Sequence, residues 1–141
     1  MIVKPRVVLF DVDGTLMKNT GGRKFYDWHR VGEDTPNEAV VELAHSIIKA
    51  GDLEIVVMSG RDEVCYEATF RSLGEQQVWF RELIMRPHKD NRPDDVVKLE
   101  LYQERVLPHY DVAFVVDDRD KVVRMWRRLG LTVFQCAEGN F

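Results

Sequence analysis

The stretch Val7-Val8-Leu9-Phe10-Asp11-Val12-Asp13-Gly14-Thr15 constrains this chain more than any other. Apolar residues from Val7 to Phe10 read as a strand buried on both faces, as in a parallel sheet, and Gly14 marks the turn that ends it. Asp11 and Asp13 then stand at the carboxyl end of that strand. If extended geometry persists through Val12, the two-residue period sends both carboxylates to one side and Val12 back into the protein. Two carboxylates held side by side repel, and the usual remedies are a shared proton or a bound divalent cation. An all-oxygen donor set at an open, phosphate-sized site favours Mg2+ over Zn2+. A solvated acidic turn is the plain alternative.

The rest of the chain alternates strands with helices. A loop rich in glycine and charge, Lys18 to Asp34, follows the first strand (Arg6 to Phe10). A helix is then expected with Thr35 as N-cap and Pro36 at its first position. Its apolar residues Val40, Leu43, Ala44 and Ile47 keep helical spacing, and Gly51 stops it. A second strand, Leu53 to Met58, ends at Ser59-Gly60-Arg61 and leads to a helix presenting Tyr66, Phe70 and Leu73 before Gly74. Leu83 to Met85 is a third, weak strand. Pro93 opens a helix running through Val106 and closed by Pro108. A fourth strand, Val112 to Val116, runs into Asp117-Asp118. The last helix, Lys121 to Leu129, turns Val122, Trp126 and Leu129 inward, and a final strand spans Leu131 to Gln135. This order implies an α/β, Rossmann-like, mostly parallel sheet with helices on both faces.

Size and charge narrow the function classes. At 141 residues and 45% hydrophobic content, the chain suits one domain spanning 1–141. No run of eighteen apolar residues and no signal peptide occur, so a cytoplasmic protein is expected. Cys65 and Cys136 show neither disulfide-scaffold nor zinc spacing and read as small core residues. The net charge of −4 argues against coating long nucleic acid but leaves open a protein that grips one phosphate end.

Ligands of open parallel sheets bind beyond the carboxyl ends of the strands. Three polar groups fall there: Asp11 with Asp13, Ser59-Gly60-Arg61, and Asp117 with Asp118. Asp94 and Lys98 share a helix face at i, i+4, a spacing that a surface ion pair would show equally.

These features together resemble the haloacid dehalogenase superfamily, whose four motifs match Asp11-Val12-Asp13-Gly14-Thr15, Ser59, Lys98 and Asp117-Asp118. The strings DVDGTL, GGRKFYD, VVELA, IVVMSGR, DDVVK, HYDVAFVVDDR and VVRMWRRLG are similar to the 3′-phosphatase domains of T-even bacteriophage polynucleotide kinase/phosphatases across nearly the whole chain. The resemblance implies an Mg2+-dependent polynucleotide 3′-phosphatase acting through an aspartyl phosphate, in the host cytoplasm if the chain is phage-encoded. It implies Asp11 as nucleophile, Asp13 as acid and base, and metal ligation by Asp11, the Asp13 carbonyl and Asp118, with Asp117 behind. Lys98 would supply positive charge, oriented by Asp94. Thr15, Ser59, Gly60, Arg61 and Arg23 would meet the substrate, Arg23 and Arg61 being needed for activity.

Expected partners are 3′-phosphorylated DNA or RNA ends and a separate kinase or ligase, since no G-x-x-x-x-G-K-[ST] loop occurs and no 5′-kinase activity is expected from this polypeptide. The insertions at 16–34 and 74–92, under about twenty residues each, are too short for a large cap domain. The second carries Trp79, Phe80, Arg81, Arg86, His88, Lys89 and Arg92, a mixture able to hold a terminal nucleotide or simply to form a solvated loop over partly buried aromatics. A general phosphatase for small phosphate esters is the alternative enzyme. A receiver-like signalling domain lacks its aspartate after the third strand and its lysine after the fifth. A calcium loop beginning at Asp11 would need glycine and glutamate where Leu16 and Gly22 stand.

Overall fold

In a computed structural model, which describes residues 2–141, the alternation becomes a five-stranded parallel sheet. Its strands are β1 (Arg6–Phe10), β4 (Glu54–Asp62), β5 (Glu82–Arg86), β6 (Asp111–Asp117) and β7 (Val133–Gln135), arranged β5-β4-β1-β6-β7. Two short strands, β2 (Met17–Lys18) and β3 (Thr35–Pro36), form a separate antiparallel ribbon. The helices are α1 (Glu38–Ala50), α2 (Tyr66–Glu75), α3 (Asp94–Leu101) and α4 (Asp120–Arg128).

The two-residue period of β1 sorts its side chains between two cores. Val8 and Phe10 join Val40, Val41 and Ala44 of α1 and Leu73 of α2 on one face. Val7 and Leu9 join Val97 and Leu101 of α3 and Val122 and Trp126 of α4 on the other. Helices therefore cover both faces, as parallel pairing requires. The chain builds outward from β1 through β4 to β5, then returns to β1's other edge for β6 and β7. This reversal of strand order beside β1 is where an α/β sheet opens a crevice at its carboxyl ends.

Several expectations are corrected. Thr35 does not cap the first helix: Thr35-Pro36 pairs with Met17-Lys18, and Asn37 stands at the N-cap. A residue before proline favours extended backbone, and proline is tolerated at a strand edge because no N–H is needed there. The buried face of α1 uses Val40, Val41 and Ala44 while Leu43 is exposed. Gly51 ends α1 as expected, at φ 79°, with its N–H donating to the Ile47 carbonyl. β4 does not stop before Ser59 but carries Ser59, Gly60 and Arg61 within it, with its register shifting against β5 between Ser59 and Asp62. α2 buries Thr69, Ser72 and Leu73, leaving Tyr66 and Phe70 at the surface and Gly74 inside the helix. Leu129 is exposed, and α4 buries Val123 and Met125 instead. α3 continues from Leu101 into a wider π-turn, Tyr102–Val106, and no described helix is long and apolar enough to cross a membrane.

Candidate active site

Asp11 leaves the end of β1 between β4 and β6. Val12 is fully buried in the turn after β1, and from that turn the Asp11 and Asp13 carboxyls enter two separate charge clusters instead of sharing one side as an extended strand would send them. Gly14 follows at φ 76°, and a Cβ there would lie 2.1 Å from Asp118 Oδ2. Only glycine permits both the left-handed turn and that approach.

Two charge clusters share the turn. In the first, Lys98 Nζ reaches from α3 to donate to Asp11 Oδ1 at 2.8 Å and to Asp117 Oδ2 at 3.1 Å. Trp126 Nε1, from α4, donates to the same Asp117 oxygen at 3.2 Å, and the Asp118 N–H donates to Asp117 Oδ1 at 2.8 Å. Both oxygens of Asp117 are thus engaged by the protein. Among the described residues Asp118 accepts a long contact from Thr15 Oγ1, 3.4 Å, and its carboxyl lies against that of Asp11. The three carboxylates of Asp11, Asp117 and Asp118 bring one oxygen each to within 4.8 Å of one another. Burial, then the charge of Asp117, pushes the Asp11 carboxyl well above the usual range, and the opposing pull of Lys98 does not cancel this. Asp118 is raised for the same two reasons. Burial alone would lower Lys98, but Asp11, Asp117 and Asp94 outweigh it and hold the ammonium charged. Three carboxylates against one ammonium, all oxygen donors, form a set that a hard divalent cation such as Mg2+ fits.

The second cluster centres on Asp13. Arg61 Nη2 donates to Asp13 Oδ1 at 2.8 Å, and Arg61 Nε lies 3.1 Å from both oxygens; Arg23 Nη2 reaches Oδ1 at 3.2 Å. Behind them Asp34 accepts from Arg23 Nε at 2.9 Å, Arg23 Nη2 at 2.7 Å and Arg61 Nη2 at 2.9 Å. Arg61 Nη1 finishes on Thr69 Oγ1 at 2.9 Å, which explains why α2 turns a threonine inward. Nothing in the sequence pattern marked Asp34, a carboxylate in a loop eleven residues beyond its partner.

The residues that the resemblance marked for the site are brought together around the turn. Arg23 and Arg61 are buried and pair with both Asp13 and Asp34, their remaining Nη1 groups donating to the Lys24 and Phe25 carbonyls and to Thr69. Thr15 is fully buried, with its hydroxyl on Asp11 and Asp118 and its N–H on the Val12 carbonyl, which leaves it no donor for a substrate. Ser59 is buried, and its Oγ accepts the Arg61 N–H at 3.1 Å. Gly60 lines the cleft, and a Cβ there would stand 2.0 Å from Asp94 Oδ1. Asp94 lies 3.9 Å from Lys98 Nζ but nearer to Arg86, 3.2 Å, and Arg119, 3.6 Å. Burial would raise the Asp94 carboxyl, yet Lys98, Arg119 and Arg86 together keep it below the usual range.

The cleft over these groups holds about 710 Å³ and is framed by Phe25, Tyr26, Arg86, Arg92, Arg119 and Phe141. Of the mixed segment in 74–92, Arg86 and Arg92 reach it. Trp79, Phe80 and Arg81 do not: the Arg81 N–H donates to the Ile55 carbonyl and its side chain pairs with Glu54, at the amino ends of the strands. They line a separate groove of about 410 Å³. Cys136 is exposed rather than a core residue, with Sγ 3.6 Å from Thr15 Oγ1; Cys65 is buried as expected.

Comparison with known proteins gives the family and the fold. Residues 5–141 match the family model of the polynucleotide kinase PNKP phosphatase domain. The chain is 38% identical over 133 residues to a protein of Autographa californica nuclear polyhedrosis virus designated a bifunctional polynucleotide kinase/RNA ligase, covering 92% of this chain and 19% of that protein. Among solved structures, a chain of a Pnkp1/Rnl/Hen1 complex superposes with TM-score 0.92 at 36% identity, over 98% of this chain and 48% of that one. The HAD domain of the effector Lem4 from Legionella pneumophila shares the fold at TM-score 0.57 and 16% identity, over 97% of this chain and 88% of that one. The chain thus spans about a fifth of its viral relative and about half of the solved Pnkp1-complex chain. It belongs to the polynucleotide kinase phosphatase-domain family, within the haloacid dehalogenase superfamily of phosphatases.

Proposed function

We propose that the chain is an Mg2+-dependent polynucleotide 3′-phosphatase that works through a phosphoenzyme on Asp11. The observation that carries this reading is the division of labour between two carboxylates two residues apart. Asp11 is held by Lys98 inside the cation-hungry cluster, whereas Asp13 is held by two arginines beside the open cleft.

Asp11 attacks the phosphorus of the terminal monoester, and the bond from phosphorus to the 3′ oxygen breaks. Asp13, entering the cycle protonated on Oδ2, gives that oxygen its proton. Water then attacks the phosphorus, Asp13 takes the water's proton, and the bond to Asp11 breaks to release inorganic phosphate. Asp13 Oδ2, touched only by Arg61 Nε, is the oxygen freest for these transfers. Asp11 and Asp118, with the Asp13 carbonyl, would hold Mg2+, which when bound supplies Lewis-acid stabilisation of the phosphoryl oxygens. Asp117 keeps Asp118 and Lys98 in place rather than ligating directly. Lys98 and the Ser59 hydroxyl stand behind the phosphoryl site to balance its developing charge.

The open, aromatic-rimmed cleft and the short insertions support the end of a strand as substrate rather than an enclosed metabolite. The relatives, a chain of an RNA repair complex and a polynucleotide kinase/RNA ligase, support RNA ends, with kinase and ligase activities on other parts or partners. Turnover of a 3′-phosphorylated oligonucleotide beside a free nucleoside monophosphate tests the reading. A strong preference for the oligonucleotide is expected, and equal turnover would make this a general phosphatase. Asp11→Asn should abolish hydrolysis, while Asp13→Asn quenched in mid-reaction should carry phosphate on Asp11.

A further inference from the structure

Helix α4 turns a single kind of charge to solvent. Val122, Val123, Met125 and Trp126 are buried in the core, and the three exposed residues of the helix, Arg124, Arg127 and Arg128, are all arginines. Lys121, half-buried in the first turn, lines the cleft with Asp118 and Arg119. Nine residues thus carry four cations and one carboxylate in a chain whose net charge is −4. That carboxylate, Asp120, already accepts the side-chain N–H of Gln135 at 2.7 Å. Among the described residues none of the four cations pairs with a carboxylate, and Arg127 makes one long bond, 3.4 Å, to the Val133 carbonyl. Arg86, Arg92 and Arg119 at the cleft are, by contrast, all held by carboxylates.

The ordinary reasons for charge on a helix explain only part of this face. Cations in the last turn offset the negative end of the helix dipole, which accounts for Arg127 and Arg128. Arg124 stands in mid-helix, and Lys121 stands in the first turn, where the dipole disfavours a cation. Ion pairs along the helix do not account for them either, because α4 has no acidic residue after Asp120. Lys121, Arg124 and Arg128 instead follow i, i+3, i+7 and stack on one face, where like charges destabilise the helix unless an anion lies along them. α4 leads from the carboxyl end of β6 back to the start of the parallel strand β7, so the stripe begins at the cleft and runs away from it. From Lys121 to Arg128 the helix rises about 10 Å, over which a nucleic-acid strand carries roughly two or three phosphates.

We propose that Lys121, Arg124 and Arg128 form a track for the backbone phosphates of the strand that delivers its 3′ end to Asp11. The proposal rests on the polynucleotide phosphatase reading and adds the path by which the strand leaves the cleft. Contacts of this kind carry no sequence information; they position the strand and make its binding salt-dependent. No ion pair has to break for a phosphate to reach these cations, so the strand displaces only small counterions.

The test uses the full chain with Mg2+ and two double variants, Arg124→Gln with Arg128→Gln and Arg124→Lys with Arg128→Lys. The substrates are a nucleoside 3′-monophosphate and a 3′-phosphorylated oligonucleotide of about ten nucleotides, assayed between about 50 and 200 mM salt. For the unmodified protein, kcat/KM on the oligonucleotide should fall steeply with salt, and its advantage over the mononucleotide should shrink in step. The glutamine pair should lower kcat/KM on the oligonucleotide by about tenfold at the lowest salt, chiefly through KM, and should flatten the log–log salt dependence by about one for each arginine removed. The lysine pair should keep most of that slope, because the charge remains. Both variants should melt with the unmodified protein, as surface substitutions of this kind do. An unaltered slope and length advantage in the glutamine pair would overturn the track and leave the face to solvent or to an acidic protein surface. An equal loss on mononucleotide and oligonucleotide would overturn it too, since the arginines would then act on the catalytic carboxylates and not on the strand. If the unmodified protein turns over the mononucleotide as fast as the oligonucleotide at every salt concentration, the polynucleotide reading itself fails and the track goes with it.

Discussion

Asp11 and Asp13 leave one turn two residues apart, yet the charge around them is balanced in opposite ways. On the Asp11 side, the carboxylates of Asp11, Asp117 and Asp118 face the single ammonium of Lys98. On the Asp13 side, two carboxylates, Asp13 and Asp34, face two guanidinium groups in bidentate and shared contacts. With every carboxyl ionised the second cluster is balanced, whereas the first lacks two positive charges. Burial makes that deficit expensive, because like charges are poorly screened there, and a divalent cation is the simplest way to remove it. One turn thus separates a site built to recruit a cation from a site built to hold a carboxylate still for proton transfer.

The sharpest way to break the comparison is Asp118→Asn. It removes the one carboxylate of the first cluster with no strong partner of its own, and leaves the arginine cluster untouched. Loss of cation binding should cost several kcal/mol of transition-state stabilisation, or about a thousandfold in turnover. Part of the loss should return at high Mg2+. Near-normal turnover at an unchanged Mg2+ requirement would show that the cation is held elsewhere.

Asp34→Asn probes the other side. The change leaves Arg23 and Arg61 with one carboxylate between them, and breaking a buried pair in this way costs about 3–5 kcal/mol of stability. Turnover should fall about 10–100-fold as Asp13 loses its fixed orientation. The Mg2+ concentration for half-maximal activity should stay where it was. If it moves with Asp34, the two clusters are not independent.

A smaller effect follows from the raised Asp11 carboxyl in the cation-free protein. Its folded value lies above the ordinary 3.8, so the folded chain binds protons that the unfolded chain does not. The stability this contributes is fully present below 3.8 and is lost as pH rises through the folded value. Mg2+ replaces the proton, so the rise in Tm that it produces should grow from acid toward neutral pH. At about a hundred times its Kd, the cation should add about 2.7 kcal/mol, roughly 8 °C for a chain of this size. Thermal melts with Mg2+ and with a chelator across that pH range measure it. A pH-independent increment would contradict the assignment.

The two clusters were not equally legible in the sequence. The first could be read because its carboxylates end strands β1 and β6, and strand ends follow from apolar runs such as Val7–Phe10 and Val112–Val116. The second depends on a loop. Asp34 follows a short 3-10 turn, and only pairing of Thr35-Pro36 with Met17-Lys18 swings it under the guanidinium groups. Local propensity favoured a helix start at Thr35 and hid that pairing. Trp126 was read correctly as buried, but helical spacing says nothing of its indole N–H, which ends on Asp117. The inward face of α2 was misread for a related reason: Thr69 is polar, and it is buried because Arg61 needs a last acceptor.

Thr15→Val asks how strongly the turn itself belongs to the cation-seeking side. The threonine hydroxyl lies 3.3 Å from Asp11 Oδ2 and 3.4 Å from Asp118 Oδ1, beyond the usual range for O–H donors. Valine fills almost the same space, and Lys98 still holds Asp11, so the loss should stay below about 1 kcal/mol, roughly fivefold in kcat/KM. Neither stability nor the Mg2+ requirement should move much. A loss of a hundredfold would mean that these contacts shorten when the site is filled. Thr15 would then belong with Lys98 among the groups that hold Asp11 for attack, giving Asp11 a second strong donor beside the ammonium.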